Sequence, residues 1–418
     1  MSTQVERRRS PHSRARLAGA LAALFFASPA RAQIDPERRD LVELGYDQPL
    51  GGRPPVAAYS YYYLNRPDFL RPNLALRLVV APVYLDGELG IKGAFGPTTD
   101  LAIGFSGGGF AYSYEEIRRG DWLRDQSFTG HGAALSLSLN HLFNPGGLIP
   151  LNGMLRGGFS YASYVRGDNN PESFVLPPNQ PMATLRAGVR LGGQEPRLDP
   201  ALALELSAWY EGQLRFEPRE YGYSGDRRVE RMVHRFWARA LLVYTLPDSY
   251  RRLTIGLIGG GSIRPDRFSA FRVGGMFTLA SEFPLVLPGY FAGELSARHL
   301  VLLGASYSLP VSPTRRWFVT AGGSTGKVAT TPGLEQPGAW NTGLGGGLTY
   351  LSLFKRWKVS LFYGYGFQAV RADGRGGHAL TLQIQYDLQR RGGRRTEPNP
   401  SSFFDRMIRT LRTWSLKG

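Results

Sequence analysis

Beyond residue 32 the chain repeats one pattern: stretches in which every second residue is apolar, with no uninterrupted apolar run approaching eighteen residues. Such alternation gives an extended strand one oily and one polar face, whereas a membrane-spanning helix needs about 20 consecutive apolar residues. From Met182 to Gly192, Ala183, Leu185, Ala187, Val189 and Leu191 share a face against Thr184, Arg186, Gly188 and Arg190. Leu202, Leu204, Leu206, Ala208 and Tyr210 oppose Glu205, Ser207 and Glu211, and Phe236, Ala238, Ala240, Leu242 and Tyr244 oppose Arg235 and Arg239. Leu380, Leu382, Ile384, Tyr386 and Leu388 repeat the alternation near the end. Segments such as 127–143 and 230–245 are longer than the usual strand of about five or six residues and suit tilted membrane strands of about 9–11 residues with extensions.

Turn-forming sequences separate these segments, including Asp86-Gly87, Asn144-Pro145-Gly146-Gly147 and Asp373-Gly374. With 53 Gly, 29 Pro and 12% aromatic against 20% charged residues, the composition favours strands and tight turns over long helices. The pattern predicts sixteen strands, the first near Ala57, the eleventh near Phe268, the twelfth near Glu294 and the last near Gly377. An even number closes an antiparallel sheet with both ends on one side. The expected fold is therefore all-β, a transmembrane antiparallel β-barrel of about 16 strands spanning 57–388.

The ends differ from this body. Residues 1–32 carry Arg7, Arg8, Arg9, Arg14 and Arg16, a ten-residue apolar run from Leu17 to Phe26, and Ala30-Arg31-Ala32. They read as a secretory signal peptide cleaved between Ala32 and Gln33, which places the mature chain in a bacterial outer membrane with lipids as its surroundings. Residues 33–56 are polar and turn-rich and read as a periplasmic leader or plug. In 389–418 a basic stretch precedes a helix predicted from Ser401 or Ser402, with Asp405 in a capping box. There Phe404, Ile408 and Leu411 share one face, Met407 and Trp414 flank it, and Arg406, Arg409 and Arg412 supply charge. Such a helix lies on a membrane surface or tucks against the barrel mouth.

The formal net charge of +17 is largely terminal, since 1–32 contribute +5 and 389–418 contribute +6. No clustered basic face with stacking aromatics remains in the body, which argues against nucleic acid as a partner. Without cysteine, thiol chemistry, disulfides and thiolate metal sites are excluded. His131, His141, His234, His299 and His378 lack metal-ligand spacing, and the glycine clusters lack the context of a nucleotide loop, so no metal or cofactor is expected. Gly104-Phe105-Ser106-Gly107-Gly108 matches G-x-S-x-G but sits inside a strand pattern with no helix after it. The residues therefore predict no catalytic set, and a barrel-embedded hydrolase at Ser106 ranks last among the functional readings.

Arg156, Arg186, Arg190, Arg235 and Arg239 fall on polar faces, partly offset by Glu205 and Glu211. They are candidate lumen charges, giving either an anion-favouring porin-like channel or a salt-bridged, plugged interior.

From Phe268 onward the sequence resembles the bacterial surface-antigen superfamily of assembly and translocation barrels, the BamA/TamA type. The resemblance rests on Phe271-Arg272-Val273-Gly274-Gly275, Leu287-Pro288-Gly289-Tyr290, Glu294-Leu295-Ser296-Ala297 and Leu303-Gly304-Ala305-Ser306-Tyr307. Gly343 to Leu351 and Val359 to Leu388, with Tyr363-Gly364-Tyr365-Gly366-Phe367, are similar to that family's last strands. It implies a non-enzymatic barrel in outer-membrane protein or lipid assembly or translocation, or an accessory role, with client proteins or lipids as partners. It also implies an inward-folding loop between strands eleven and twelve, here Glu282 to Gly293, and a weakly paired first-to-last seam that opens laterally. Two departures stand out: Pro288 replaces the family's loop arginine, and the sequence leaves no room for the soluble periplasmic repeats.

Overall fold

The computed structural model describes residues 37–193, 202–246, 249–278, 281–372 and 374–389. Within them the alternating segments become β1 Arg39–Pro49, β2 Ala57–Pro67, β3 Leu74–Ala81, β4 Tyr84–Ile91, β5 Thr99–Gly108, β6 Thr129–Leu142, β7 Leu151–Val165 and β8 Gln180–Gly193. They continue as β9 Leu202–Arg215, β10 Met232–Thr245, β11 Arg252–Ile263, β12 Leu295–Pro310, β13 Trp317–Thr330, β14 Trp340–Leu351, β15 Trp357–Arg371 and β16 Gly374–Asp387. Each pairs antiparallel with the next, and β1 returns to β16 through nine residue pairs from Leu41↔Asp387 to Pro49↔Ala379. The sheet is a closed sixteen-stranded barrel.

The number of strands is as expected, but two of the sixteen differ. Residues 33–56, read as a leader or plug, contain β1, whose lumen side carries Glu43 and Asp47 and whose outer side offers only Val42, Leu44 and Tyr46 as large apolar groups. So polar a strand resembles a linker. The segment expected from Phe268 is no wall strand: only Phe271–Val273 is extended, pairing with Leu295–Ala297, and the eleventh strand is Arg252–Ile263. The proposed signal peptide with its Ala32/Gln33 cleavage and the helix beyond Ser401 lie outside the described residues.

Outward side chains form the lipid face. Leu135, Leu137, Phe159, Leu185, Leu206, Leu257, Val301, Leu344 and Leu361 are all exposed. At the rim holding Arg39 and Asp387, Phe143, Tyr244, Tyr307, Trp317, Phe354 and Trp357 make an aromatic girdle. The four longest connections, 109–128, 166–179, 216–231 and 264–294, all leave the opposite rim, as the extracellular loops of bacterial barrels do, so β1 begins and β16 ends at the rim that is periplasmic in such barrels.

The outer loops close over the barrel. Tyr114, Phe128, Phe174, Tyr221 and Val229, from three loops and their strand ends, pack together with Phe268. Beneath them the fully buried Glu116 faces Arg118, Arg227 and Arg267, while Asp266 pairs with Arg215 and accepts from the Glu230 and Ser269 amides at 3.0 and 2.9 Å. Burial would raise the Glu116 carboxyl, but the hydrogen bond and charge of Arg267, reinforced by Arg227 and Tyr114, hold it below its usual range.

Candidate functional site: the lumen and its inward loop

Alternation dictates that residues opposite the lipid face point inward, and the lumen is correspondingly charged. Arg156 donates to Ser138 at 2.6 Å and pairs with Glu88. Arg186 and Arg235 both reach Glu211, through Nε at 2.9 Å and Nη1 at 3.3 Å, and Gln213 adds a bond at 2.7 Å. Arg239 donates from Nε to Glu205 at 3.1 Å and from Nη1 to the Glu282 carbonyl at 2.9 Å. Arg190 pairs with Glu282 and lies 3.7 Å from Glu205. All five candidate lumen arginines therefore face carboxylates, two per glutamate around Glu205 and Glu211. Their stems and guanidinium faces cover aromatic rings: Arg190 sits 5.1 Å above Trp209, Arg235 4.6 Å above Phe271, and Arg239 5.0 Å above Phe283.

The chain between β11 and β12 descends into this space. Phe271-Arg272-Val273 pairs with the start of β12, with Arg272 donating to the Ser296 hydroxyl at 2.5 Å and the Glu115 carbonyl at 2.9 Å. Gly274 then turns the chain inward at φ 134°, where a Cβ would lie 2.2 Å from the Phe291 carbonyl oxygen. The loop carries Met276, Phe283 and Pro284 past the lumen charges and returns through Leu287-Pro288-Gly289-Tyr290. Leu287, Tyr290 and Phe291 are fully buried.

Glycines of the last strands make the seat for this return. A Cβ on Gly343 would fall 2.2 Å from the Pro288 carbonyl oxygen, and one on Gly364 would fall 2.7 Å from the Gly289 amide. Gly289 itself, at φ 80°, would place a Cβ 2.0 Å from the Gly366 amide. Tyr290 donates to Asn341 Oδ1 on β14 at 3.1 Å, and Gln383 on β16 donates to the Met276 carbonyl at 3.0 Å. Arg371, at the end of β15, donates to both oxygens of Glu294 at 2.9 and 3.0 Å and to the Gly289 carbonyl at 3.2 Å. It also lies 3.8 Å above the Phe291 ring. The wall thus supplies a cation that anchors the loop.

The docked loop divides the lumen. One chamber of about 330 Å³ lies against β10–β16, and another of about 1060 Å³ lies against β1–β4 and β16, with Arg190, Glu205 and Arg239 of β8–β10 at its inner side. The pairings of Glu282 with Arg190, Arg371 with Glu294 and Glu116 with Arg267 escaped sequence reasoning, because each joins residues 77 or more apart along the chain. Only the recurrent glycines of 363–367 hint at the seat. Ser106, by contrast, lies on β5 opposite Asp86 and Ala134 rather than on the strand-to-helix elbow from which the G-x-S-x-G serine acts in α/β-hydrolases.

The same architecture occurs in solved barrels. CdiB from Acinetobacter baumannii superposes with a TM-score of 0.55 at 14% identity, over 84% of this chain and 60% of that one. BamA from Haemophilus ducreyi lacking POTRA domains 1-3 gives 0.54 at 11% identity, over 92% and 80%. CdiB from Escherichia coli gives 0.52 at 14% identity, over 84% and 63%. This chain spans about 60% of the length of the Acinetobacter CdiB. No family model and no curated protein matches the sequence. At these identities the fold is what is shared: an outer-membrane barrel of the BamA and CdiB type.

Proposed function

We propose that the chain acts without enzymatic chemistry in the assembly or translocation of outer-membrane proteins or lipids, or as an accessory to it, with the loop between β11 and β12 as its moving part. The observation carrying this reading is the loop's attachment beside the seam. Its tip is held by Arg371 on β15, and its descending limb is hydrogen-bonded by Gln383 on β16, the strand that closes the barrel. A shift of the loop is therefore transmitted to the strand pairing with β1. That pairing is reinforced by the Thr381 hydroxyl donating to Asp47 at 2.6 Å and by Gln385 to Glu43, so the closed seam is a defined state from which opening departs. The lumen arginines support a plugged interior over an anion channel, since carboxylates face all five.

Locking the seam tests this. Leu44 and Ile384 are paired across β1 and β16, within reach of a disulfide if both are cysteine, and the native chain has no cysteine to interfere. Leu44→Cys with Ile384→Cys should deplete the outer membrane of its barrel proteins or lipids under oxidising conditions and recover with reductant. A locked barrel that leaves outer-membrane composition unchanged overturns the reading.

A further inference from the structure

The lipid face changes character toward the rim from which the long loops leave. On β13 and β14 the outward side chains run from the exposed Leu348 and Leu344 to a hydroxyl pair, Thr325 and Thr342, bonded at 2.8 Å, and then to Lys327 directly opposite the exposed Trp340. From Trp317 in the aromatic girdle to Lys327, β13 runs ten residues. At about 3.3 Å per residue and a tilt of about 40° they rise roughly 25 Å, the height of the apolar band, so Lys327 and Trp340 lie at the level of the outer lipid headgroups.

Beside them β12 is bulged. Its register with β13 shifts between Ala297 and His299, leaving Arg298 as the inserted residue. Ala297 and Leu300 are buried in the core, while Arg298 and His299 are both exposed, two successive side chains where a regular strand would turn one of them inward. The bulge therefore adds an arginine to the outer face. His299 pairs with Ala329, two residues from Lys327, which sets His299 and Lys327 diagonally across the strands at about 7–8 Å. The His299 ring lies over Gly261, where an added Cβ would come within 3.0 Å of Nδ1. Among the described residues no carboxylate pairs with Arg298 or Lys327, and Glu335, the acidic residue of the loop from β13 to β14, accepts from the Gly333 amide at 2.8 Å. Like charges on neighbouring strands repel, so an anion laid across both strands stabilises the patch.

We propose that this patch binds the headgroup of an outer-leaflet glycolipid of the lipid A class, which carries two phosphates on a sugar scaffold. Arg298 and Lys327 each take a phosphate, His299 lies between them, Trp340 covers the sugar, and the acyl chains run down past Val301, Leu303 and Leu344. A phospholipid with one phosphate would leave one of the two cations unmatched across that span, whereas two phosphates on one scaffold match both. The inference needs only that the barrel spans an outer membrane with this rim outward, not the assembly reading.

Purified barrel in detergent, offered diphosphoryl lipid A, monophosphoryl lipid A or phosphatidylglycerol at equal ratios and read by native mass spectrometry, tests it. The diphosphoryl lipid should be retained in preference to the other two. Arg298→Gln with Lys327→Gln should weaken its binding about tenfold or more, and Lys327→Arg should preserve it. Arg119→Gln with Arg228→Gln removes two exposed cations of other outer loops and should leave binding unchanged. Heat-modifiable migration checks that each variant is folded. Equal retention of phosphatidylglycerol, undiminished binding after the Arg298 and Lys327 substitutions, or an equal loss in the loop variant overturns the proposal. Because no client is present, none of these results bears on the assembly reading.

Discussion

Arg371 and Glu294, 77 residues apart, meet inside the barrel through two hydrogen bonds of 2.9 and 3.0 Å, with side chains that are 3% and 0% exposed. The pair ties the root of the inward loop to β15, and the same guanidinium reaches the loop tip at the Gly289 carbonyl. Each partner offsets the cost of burying the other, so removing one leaves an uncompensated buried charge.

Arg371→Met should therefore weaken docking of the loop by about 3–5 kcal/mol. The expected readout is new protease cleavage within the loop and a lower temperature for heat-modifiable migration. Arg371→Met combined with Glu294→Met should recover part of the loss, because no lone charge remains buried. An Arg371→Met protein as protease-resistant as the parent would remove the anchor from the account.

Gly289→Ala combines a left-handed φ of 80° with a Cβ 2.0 Å from a backbone amide, so backbone strain and collision add. It should cost at least about 1–3 kcal/mol in thermal stability. Gly51→Ala, where nothing lies within 4 Å, should be nearly neutral when measured in the same melting experiment.

Glu205→Gln removes the carboxylate facing both Arg190 and Arg239. With Arg239 buried beside it, the expected loss is about 3 kcal/mol, and the lumen gains one positive charge. In planar bilayers any residual current should shift toward anions; an unchanged reversal potential under a salt gradient would count against a lumen whose field these pairs balance.

Acidification should loosen the outer loops. The Glu116 carboxyl is held below its usual range in the folded protein, so its contribution is complete above the unfolded value of about 4.3 and is lost as pH falls through the lower folded value. Protonation leaves Arg267 and Arg227 facing a neutral acid. Loop proteolysis by an acid-active protease, measured at each pH, should rise below about pH 4, and Glu116→Gln should reproduce it at neutral pH.

Local pattern carried the fold because a strand between lipid and lumen must alternate whatever its neighbours are. Arg186, Arg190, Arg235 and Arg239 were therefore placed on the polar face by phase alone, and evenness of strand number followed from closure. The same signal failed at Arg39–Pro49, whose lumen face carries Glu43 and Asp47, and at Phe268–Val273, whose apolar residues face the barrel interior rather than lipid. Periodicity reports which face is oily, not what the oily face touches.

What the amino-acid order determined by itself is the kind of wall this protein builds, since one-face hydrophobicity with turns leaves backbone groups no other way to be satisfied in a bilayer. Tertiary structure alone decided which arginine meets which glutamate, that the loop fills the lumen, and that β12 bulges at Arg298. Those depend on register and on contacts between residues far apart in sequence, where the energy of a pair exists only once closure has brought both members to one place.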